Sequence, residues 1–495
     1  MTDTPAWIDQ GQLRYNWHVD EFVWQGTWWL PESKHHRVTG SLEYDGDRME
    51  LATLGSLRDY ASPDQIDGVV AHRVGHPSWR RIPIIHGYRR DHKAVTLLNS
   101  SGVDMSGPWE INSEGYDVEL ALVGTHADSD AFEEVAVEFD WLDEWLDPPP
   151  LVTDKSIEPD NDVLSKMPIE LCRVGLVGGE LSLRSGAYGT QGPTAIHLER
   201  WSAAFIKTSN PSDWKNLLDT WVRPVQDLLT VSLGRTANIQ WVKLRPLRSS
   251  PYHEGLCEAI FRIVRPRSTP KSRPGGRQSL RNFDTPTLIM AADVSSNLSE
   301  FLRAWMDNRA TDGPLTSLLL AHMYAPFMYT SQRFSSIFQA VEGLHSREHA
   351  GPERTRAEHG RRVSSIIDAA TAADVGTDDL RWAKEVLTSK NDKKLSQRLQ
   401  ELVEASGPLG QAILGAAPTF CSDAASLRSG VSHPGGSGSD SITIRQYWHG
   451  EVLVWLARSL LLRRAGLQDS CTRASERFHF RQSLERLAEY GGDSD

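Results

Sequence analysis

The chain has 495 residues, 39% of them hydrophobic and 24% charged, with a formal net charge of −12 at pH 7. That is the balance of a globular protein of roughly two to four domains; it excludes a surface with generic nucleic-acid affinity but allows a local basic groove. No apolar run reaches the roughly 18 residues that cross a bilayer, "MTDTPAWIDQ" lacks the basic and apolar parts of a signal peptide, and Cys172, Cys257, Cys421 and Cys471 form no CxxC pair, so reduced thiols in a soluble, cytoplasmic protein are expected.

From the N-terminus the chain reads as β. "FVWQGTWWLP", "VTGSLEYDG", "RMELATLGSL", "AVTLLNSSG", "YDVELALVGTH" and "EEVAVEFDWLDEWL" alternate apolar and polar residues, and Gly, Asp, Asn or Pro punctuates them. The rhythm predicts an antiparallel sandwich or barrel over residues 1–148. "LDPPPLVTDKSIEPDND" then reads as a stiff, polar boundary, with the linker proper at 149–162.

Residues 163–300 predict a mixed α/β domain. "IELCRVGLVGGELSLRSG" and "IQWVKLRPL" look like strands. "DWKNLLDTWVRPVQDLLTVSLG" looks like a helix capped by Ser212 or Asp213 and kinked at Pro224. Pro266 to Asn282 contains no acid and carries Arg267, Lys271, Arg273, Arg277 and Arg281. It reads as an exposed, poorly ordered loop, and those five residues are candidate RNA contacts.

From 301 to 495 the pattern is helical. "RFSSIFQAVEGLHSREH" sets Phe334, Ile337, Phe338, Val341 and Leu344 on one face, and further helical runs follow to "SERFHFRQSLERLAEY". Within the first of these, "HSREH" (His345 to His349) matches the His-x-x-Glu-His pattern of a zinc peptidase class. It sits in the last turn of its helix before Gly351-Pro352, with no third ligand evident downstream, and histidines at a helix C-terminus also serve as caps. No metal is expected there. No P-loop, dinucleotide fingerprint or calcium loop is present, so no cofactor is expected either.

"SLRSGVSHPGG" puts Arg428 five positions before His433. Arg81–His86, Arg248–His253 and Arg354–His359 share that spacing, so spacing alone carries almost no information. In a straight helix five residues turn about 500°, leaving the two side chains roughly 140° apart. They converge only if the helix unwinds, which Gly430 permits and Pro434-Gly435-Gly436 favours. Arg81–His86 falls in or beside a strand, Arg248–His253 in a Pro-containing loop, and Arg354–His359 in a continuous polar helix start. Only Arg428–His433 has a helix–Arg–loop–His–helix setting.

These residues resemble a HEPN domain, a helical ribonuclease domain with an Arg-x(4–6)-His signature between its last two core helices. "RFSSIFQAVEGLH" resembles the family's early helix with its Ala-x-Glu element, here Ala340 and Glu342, the latter a candidate supporting residue. "FVWQGTWWLPE", "VTGSLEYDGDRMEL", "HGYRRDHKAVTLLN" and "LALVGTHADSDAFEEVAVEFDWLDEWL" resemble, in order, the domain that accompanies HEPN in ApeA-like anti-phage proteins. The resemblance implies a multidomain protein, with a β-rich and mixed α/β N-terminal part followed by an all-α HEPN-like bundle. It also implies metal-independent RNA cleavage in abortive-infection defence, by a homodimer or higher homo-oligomer answering a phage-derived trigger. Active members often have Asn, Asp or His after the arginine, where this chain has Ser429. A HEPN-like module that binds or senses without catalysis is the alternative.

The residue chemistry is compatible with cleavage. RNA carries its own nucleophile, the ribose 2′-OH. Near neutral pH a histidine such as His433 can move its proton, while Arg428 presents a charged, planar fork to phosphate oxygens. Ser429 is a candidate to orient one of the two. The β-rich front is expected to sense or restrain.

Overall fold

The computed structural model describes residues 21–46, 48–57, 79–104, 113–148, 163–191, 196–247, 255–261, 286–311, 313–325, 327–349, 351–432 and 440–490. The chain divides into two compact units. Met1–Leu229, Thr236–Leu280 and Met290–Arg303 form the first; Thr230–Arg235, Arg281–Ile289 and Ala304–Asp495 form the second.

The first unit is built on strands β1 (Phe22–Trp29), β2 (Val38–Tyr44), β3 (Met49–Leu54), β4 (Trp79–Arg89), β5 (Ala94–Asp104), β6 (Ser113–Asp117), β7 (Leu120–Val123) and β8 (Ala131–Phe139). A short helix α1 (Leu142–Leu146) follows, then β9 (Val163–Leu176), β10 (Gly179–Gln191) and β11 (Ile196–Asp213). Helices α2 (Trp214–Leu217) and α3 (Arg223–Leu233) precede β12 (Ile239–Pro246) and β13 (Cys257–Phe261). All the strands join one 13-stranded sheet in the order β4-β1-β2-β3-β6-β5-β7-β13-β12-β8-β11-β10-β9. The additional β4–β5 pairing closes the first six of them into a barrel, which removes their free edges.

The alternation read in the sequence is the alternation of this barrel wall. Leu42 and Tyr44 of β2 are buried and register with Leu51 and Met49 of β3, also buried, while the residues between point outward. Trp28, Ile85, Leu97 and Tyr116 share that core. Trp28 lies so close to β4 that a Cβ on Gly87 would stand 2.2 Å from its ring, which makes glycine obligatory there. On the far side of residues 149–162, which lie outside the described residues, the chain rejoins the same sheet. Val137 of β8 registers with Ala204 of β11 and Val242 of β12.

Asp213 caps α2 as expected, accepting from the Asn216 amide at 3.0 Å. At Pro224 the chain resolves the proline in a different way from a simple kink. A π turn, Leu218–Val222, precedes it, and the Arg223 amide reaches back to Leu218 rather than to the usual i−4 carbonyl.

Every described element after Phe261 is helical: a 3₁₀ turn (Ala291–Asn297), then α4 (Leu298–Thr311), α5 (Gly313–Tyr324), α6 (Thr330–Glu348), α7 (Arg356–Ala372), α8 (Thr377–Ser389), α9 (Leu395–Ala405), α10 (Pro408–Ala416), α11 (Phe420–Ser432), α12 (Asp440–Arg464), α13 (Ser470–Glu476) and α14 (Phe478–Tyr490). The predicted apolar face of α6 is buried, together with Ala340 and His345. α12 is the central helix of the second unit: Val452 to Leu462 is buried without a break, because α6, α13 and α14 all pack on it. α7 and α8 pair chiefly with each other and bury little.

Candidate active site

α11 and α12 flank the Arg428–His433 stretch. On α11, Phe420, Ala424 and Leu427 recur at i, i+4 and i+7 and are buried, which defines the face turned to the bundle. At about 100° per residue, Arg428 falls at the margin of that face. It is half-buried, and its Nε is enclosed. Ser429, one step round, is exposed and donates its hydroxyl hydrogen to the Ala425 carbonyl at 3.1 Å, the local back-bond of a helical serine. Gly430 is exposed with open space around its Cα, yet the helix does not unwind there: α11 runs through it to Ser432. A glycine permits a break without imposing one, and here the helix ends only where the Pro-Gly-Gly run approaches. His433 lies outside the described residues, so its distance from Arg428 is not part of this geometry.

The N-terminal half of α12 is fastened to α11 by an aromatic pair. Phe420 stacks on His449 with ring centroids 5.4 Å apart and planes inclined by 4°. His449 is buried and its Nδ1 donates to the Arg445 carbonyl at 2.8 Å. Burial lowers its pKa, which suits a neutral ring that holds two helices together.

The other predicted residues fall elsewhere. Glu342 on α6 accepts from Arg398 of α9 at 3.3 Å. Of "HSREH", His345 bonds Glu401 at 2.8 Å and Glu348 pairs with Arg464 at 2.8 Å. Lys393 also grips Glu401, at 2.6 and 2.7 Å, and with His345 holds that carboxyl below its usual range. Among the described residues no group of three or more His, Cys, Asp or Glu side chains is disposed to hold a metal ion. Arg267, Lys271, Arg273, Arg277 and Arg281 lie outside the described residues. The Arg354–His359 pair is not inside one helix, as its sequence suggests. Thr355 caps α7 by accepting from the Glu358 amide, so Arg354 stands before the helix and His359 within it.

The comparisons with known families bear on both units. The family "ApeA N-terminal domain 1" matches residues 23–305, more than half of the chain. The chain belongs to the ApeA family. A second family, "Apea-like HEPN", matches residues 335–471, a span that contains α11, the connection after it and α12. No match was found among curated proteins or among solved structures. In ApeA terms the candidate pair therefore sits inside the HEPN match, and the closed barrel inside the N-terminal match.

Reading the sequence alone missed a second cluster, on α5, α6 and α12 of the HEPN-bearing unit. Arg333 donates through Nε to His322 at 3.1 Å and pairs through Nη2 with Glu451 at 2.8 Å. About two turns further along α12 than Glu451 lies Arg458, only 1% exposed, which donates to the carbonyls of Val231 (2.7 Å), Ser232 (3.2 Å) and Pro286 (3.0 Å). One signal was present: Arg458 is the lone charge in the apolar run "VLVWLARSLLL", and a charge so placed has to find acceptors in the interior.

Proposed function

We propose that this ApeA-family protein is a metal-independent endoribonuclease of anti-phage, abortive-infection defence, with Arg428 and His433 as its catalytic residues. His433 removes the 2′-OH proton as the 2′ oxygen bonds to the adjacent phosphorus. The P–O5′ bond breaks, and a protonated histidine returns a proton to the leaving 5′ oxygen. Arg428 holds the phosphate oxygens on which charge accumulates. One histidine cannot be both base and acid at the same instant, so the reading pairs two protomers, each supplying an Arg and a His to one cleft in the cytoplasm. Arg267, Lys271, Arg273, Arg277 and Arg281 are assigned to RNA phosphates, and the β-rich unit to sensing a phage-derived trigger.

The observation that carries this reading is the position of Arg428 within the HEPN match: on the margin of the buried face of α11, one turn before the helix ends, with a guanidinium only half withdrawn from solvent. A second reading rests on Ser429. Its hydroxyl is engaged with Ala425 on the outer helix surface, which fits a HEPN module retained for binding without catalysis. The test is RNA from cells expressing the wild type or Arg428→Ala, sequenced for new 5′-hydroxyl ends. Ends that appear with the wild type and vanish with the variant support cleavage. Equal ends, or none from either protein under phage challenge, support the binding module.

A further inference from the structure

Helices α7 and α8 form an antiparallel hairpin closed at its base by Asn391. The Asn391 carbonyl accepts from the Glu353 amide at 2.8 Å, and its Nδ2 donates to the Arg354 carbonyl at 2.9 Å. With 17 residues, α7 is about 25 Å long. The two helices meet through buried Val363 and half-buried His359, Ala370, Leu380, Ala383 and Leu387. Val363 is the one fully buried residue of α7, and α8 has none. A layer of two helices cannot cover an apolar stripe on its outer side; that takes another layer packed against it.

Such a stripe is present. At about 100° per residue, Arg362, Ile366, Ala369 and Ala373 follow one another along α7, beside the residues that face α8. Asp379, Trp382, Val386 and, at the C-cap, Lys390 do the same along α8. Because the helices run in opposite directions, both stripes come to the same side of the hairpin. Trp382 is 66% exposed and Ile366 42%, and each lies near the middle of its helix. The two ends of the hairpin are charged oppositely. Asp374, Asp378 and Asp379 lie at the tip; Arg361, Arg362 and Lys390 lie toward the base, and all six are exposed. Acids at the start of α8 are explained by that helix's own dipole. Arginines in the first two turns of α7 are not, because that end of a helix favours anions.

We propose that this face of the α7–α8 hairpin docks on the same face of a second copy of the chain, the two hairpins lying antiparallel about a two-fold axis through their midpoints and forming a four-helix bundle. The axis brings the apolar centre, Trp382 and Ile366, onto its own counterpart, as an isologous contact requires. It also sets the acidic tip of each hairpin over the basic base of the other, Asp379 facing Arg362 and Lys390 of the partner subunit. A parallel arrangement would put acid on acid and base on base. A polyanion would meet the arginines but would be repelled by the tip and would leave Trp382 uncovered. The contact lies on different helices from Arg428 and His433 and does not depend on catalysis there.

The test is the mass of the full-length protein by sedimentation over a wide range of concentration, read together with cross-linking at the proposed axis. Trp382→Ser, which removes an exposed ring, should weaken self-association about tenfold or more without lowering the melting temperature of the chain. Asp378→Lys/Asp379→Lys should weaken it similarly, and so should Arg362→Glu/Lys390→Glu. An equimolar mixture of those two double variants should restore it, because each tip then meets a base of opposite charge. Ile366→Cys should form an inter-chain disulfide under mild oxidation, which reports this contact whatever other face also pairs, and adding Trp382→Ser should suppress it. The proposal fails if the protein stays monomeric, as it would if the face served an unrelated partner. It fails also if Trp382→Ser leaves association unchanged, if the mixed charge variants do not recover, or if Ile366→Cys does not cross-link.

Discussion

Arg428 and Arg458 are arginines on helices of the same unit, and they are treated in opposite ways. Arg428 stands at the margin of α11 near its end and is half-buried. Arg458 sits in the middle of α12, its charge removed from water and divided among three carbonyls, with burial pulling its pKa down to about 9. The first placement leaves the guanidinium partly in contact with water. The second spends most of a charge on the chain itself. The contrast predicts that one residue is lost at the level of chemistry and the other at the level of folding.

The largest effect should come from Arg428→Ala. Removing a charged donor from a developing phosphate charge costs on the order of a thousandfold in rate, and His433→Ala should cost as much through the lost proton transfer. Cleavage of a fluorescent RNA by purified protein, with and without EDTA, measures it; EDTA should have no effect. The melting temperature of Arg428→Ala should stay within about 2 °C of the wild type, since the substitution opens no core cavity. A folding defect comparable to that of Arg458→Ala would erase the contrast.

Arg458→Ala should reverse that pattern. It strands the carbonyls of Val231, Ser232 and Pro286 in the interior and leaves a void beside Trp455. Loss of one partner from such a buried network costs about 3–5 kcal/mol, read as a shift of the urea midpoint. Gly234→Ala should act in the same direction, because its Cβ would collide with the same guanidinium.

A smaller effect concerns pH. His322 has its ordinary value of 6.5 when unfolded and about 3 when folded. Above pH 6.5 both states are neutral and the group contributes no slope. Below it the unfolded chain takes up a proton that the folded one refuses, so stability falls as pH drops from 6.5 toward about 3. The loss is about 1.4 kcal/mol per unit once well below 6.5. His86, His126 and His449 are also lowered, first by burial, and add to the slope in the same direction. Comparing urea midpoints of the wild type and His322→Asn at pH 7.5 and 5.5 isolates the His322 share: the variant should lose less stability on acidification.

Much of the fold was legible because local pattern and burial agree. β2 and β3 alternate in the sequence and in the barrel wall, and the apolar stripe of α6 is the stripe that is buried. β11 was not legible as a strand. Ser202 to Ile206 is buried on both faces, so alternation disappears where it is needed to recognise a strand. "IELCRVGLVGGELSLRSG" reads as one stretch but is a hairpin, turned at Gly178 with φ +86°. The same division holds for function. Arg428 could be singled out because its neighbours in sequence, a helix before it and a Pro-Gly-Gly after it, supply the context. Arg333 and Glu451 could not, since they come from distant parts of the chain and meet only through the packing of α6 on α12.

The smallest effect is expected from the pair that shares the Arg-x4-His spacing but not its setting. Arg354 precedes α7, where its Nη2 lies 3.4 Å from Glu353 on an exposed surface, a contact worth little in water. His359, inside α7, donates to the Leu387 carbonyl of α8 at 2.9 Å and so ties the α7–α8 pair together. Its loss removes one partly buried hydrogen bond, about 1 kcal/mol, from two helices that bury little. The double variant Arg354→Ala/His359→Ala should therefore cleave RNA within about twofold of the wild type while melting slightly earlier. If it lost activity as Arg428→Ala is expected to, spacing rather than setting would be the determinant, and the contrast between a partly solvated arginine and one consumed by the fold would no longer single out α11.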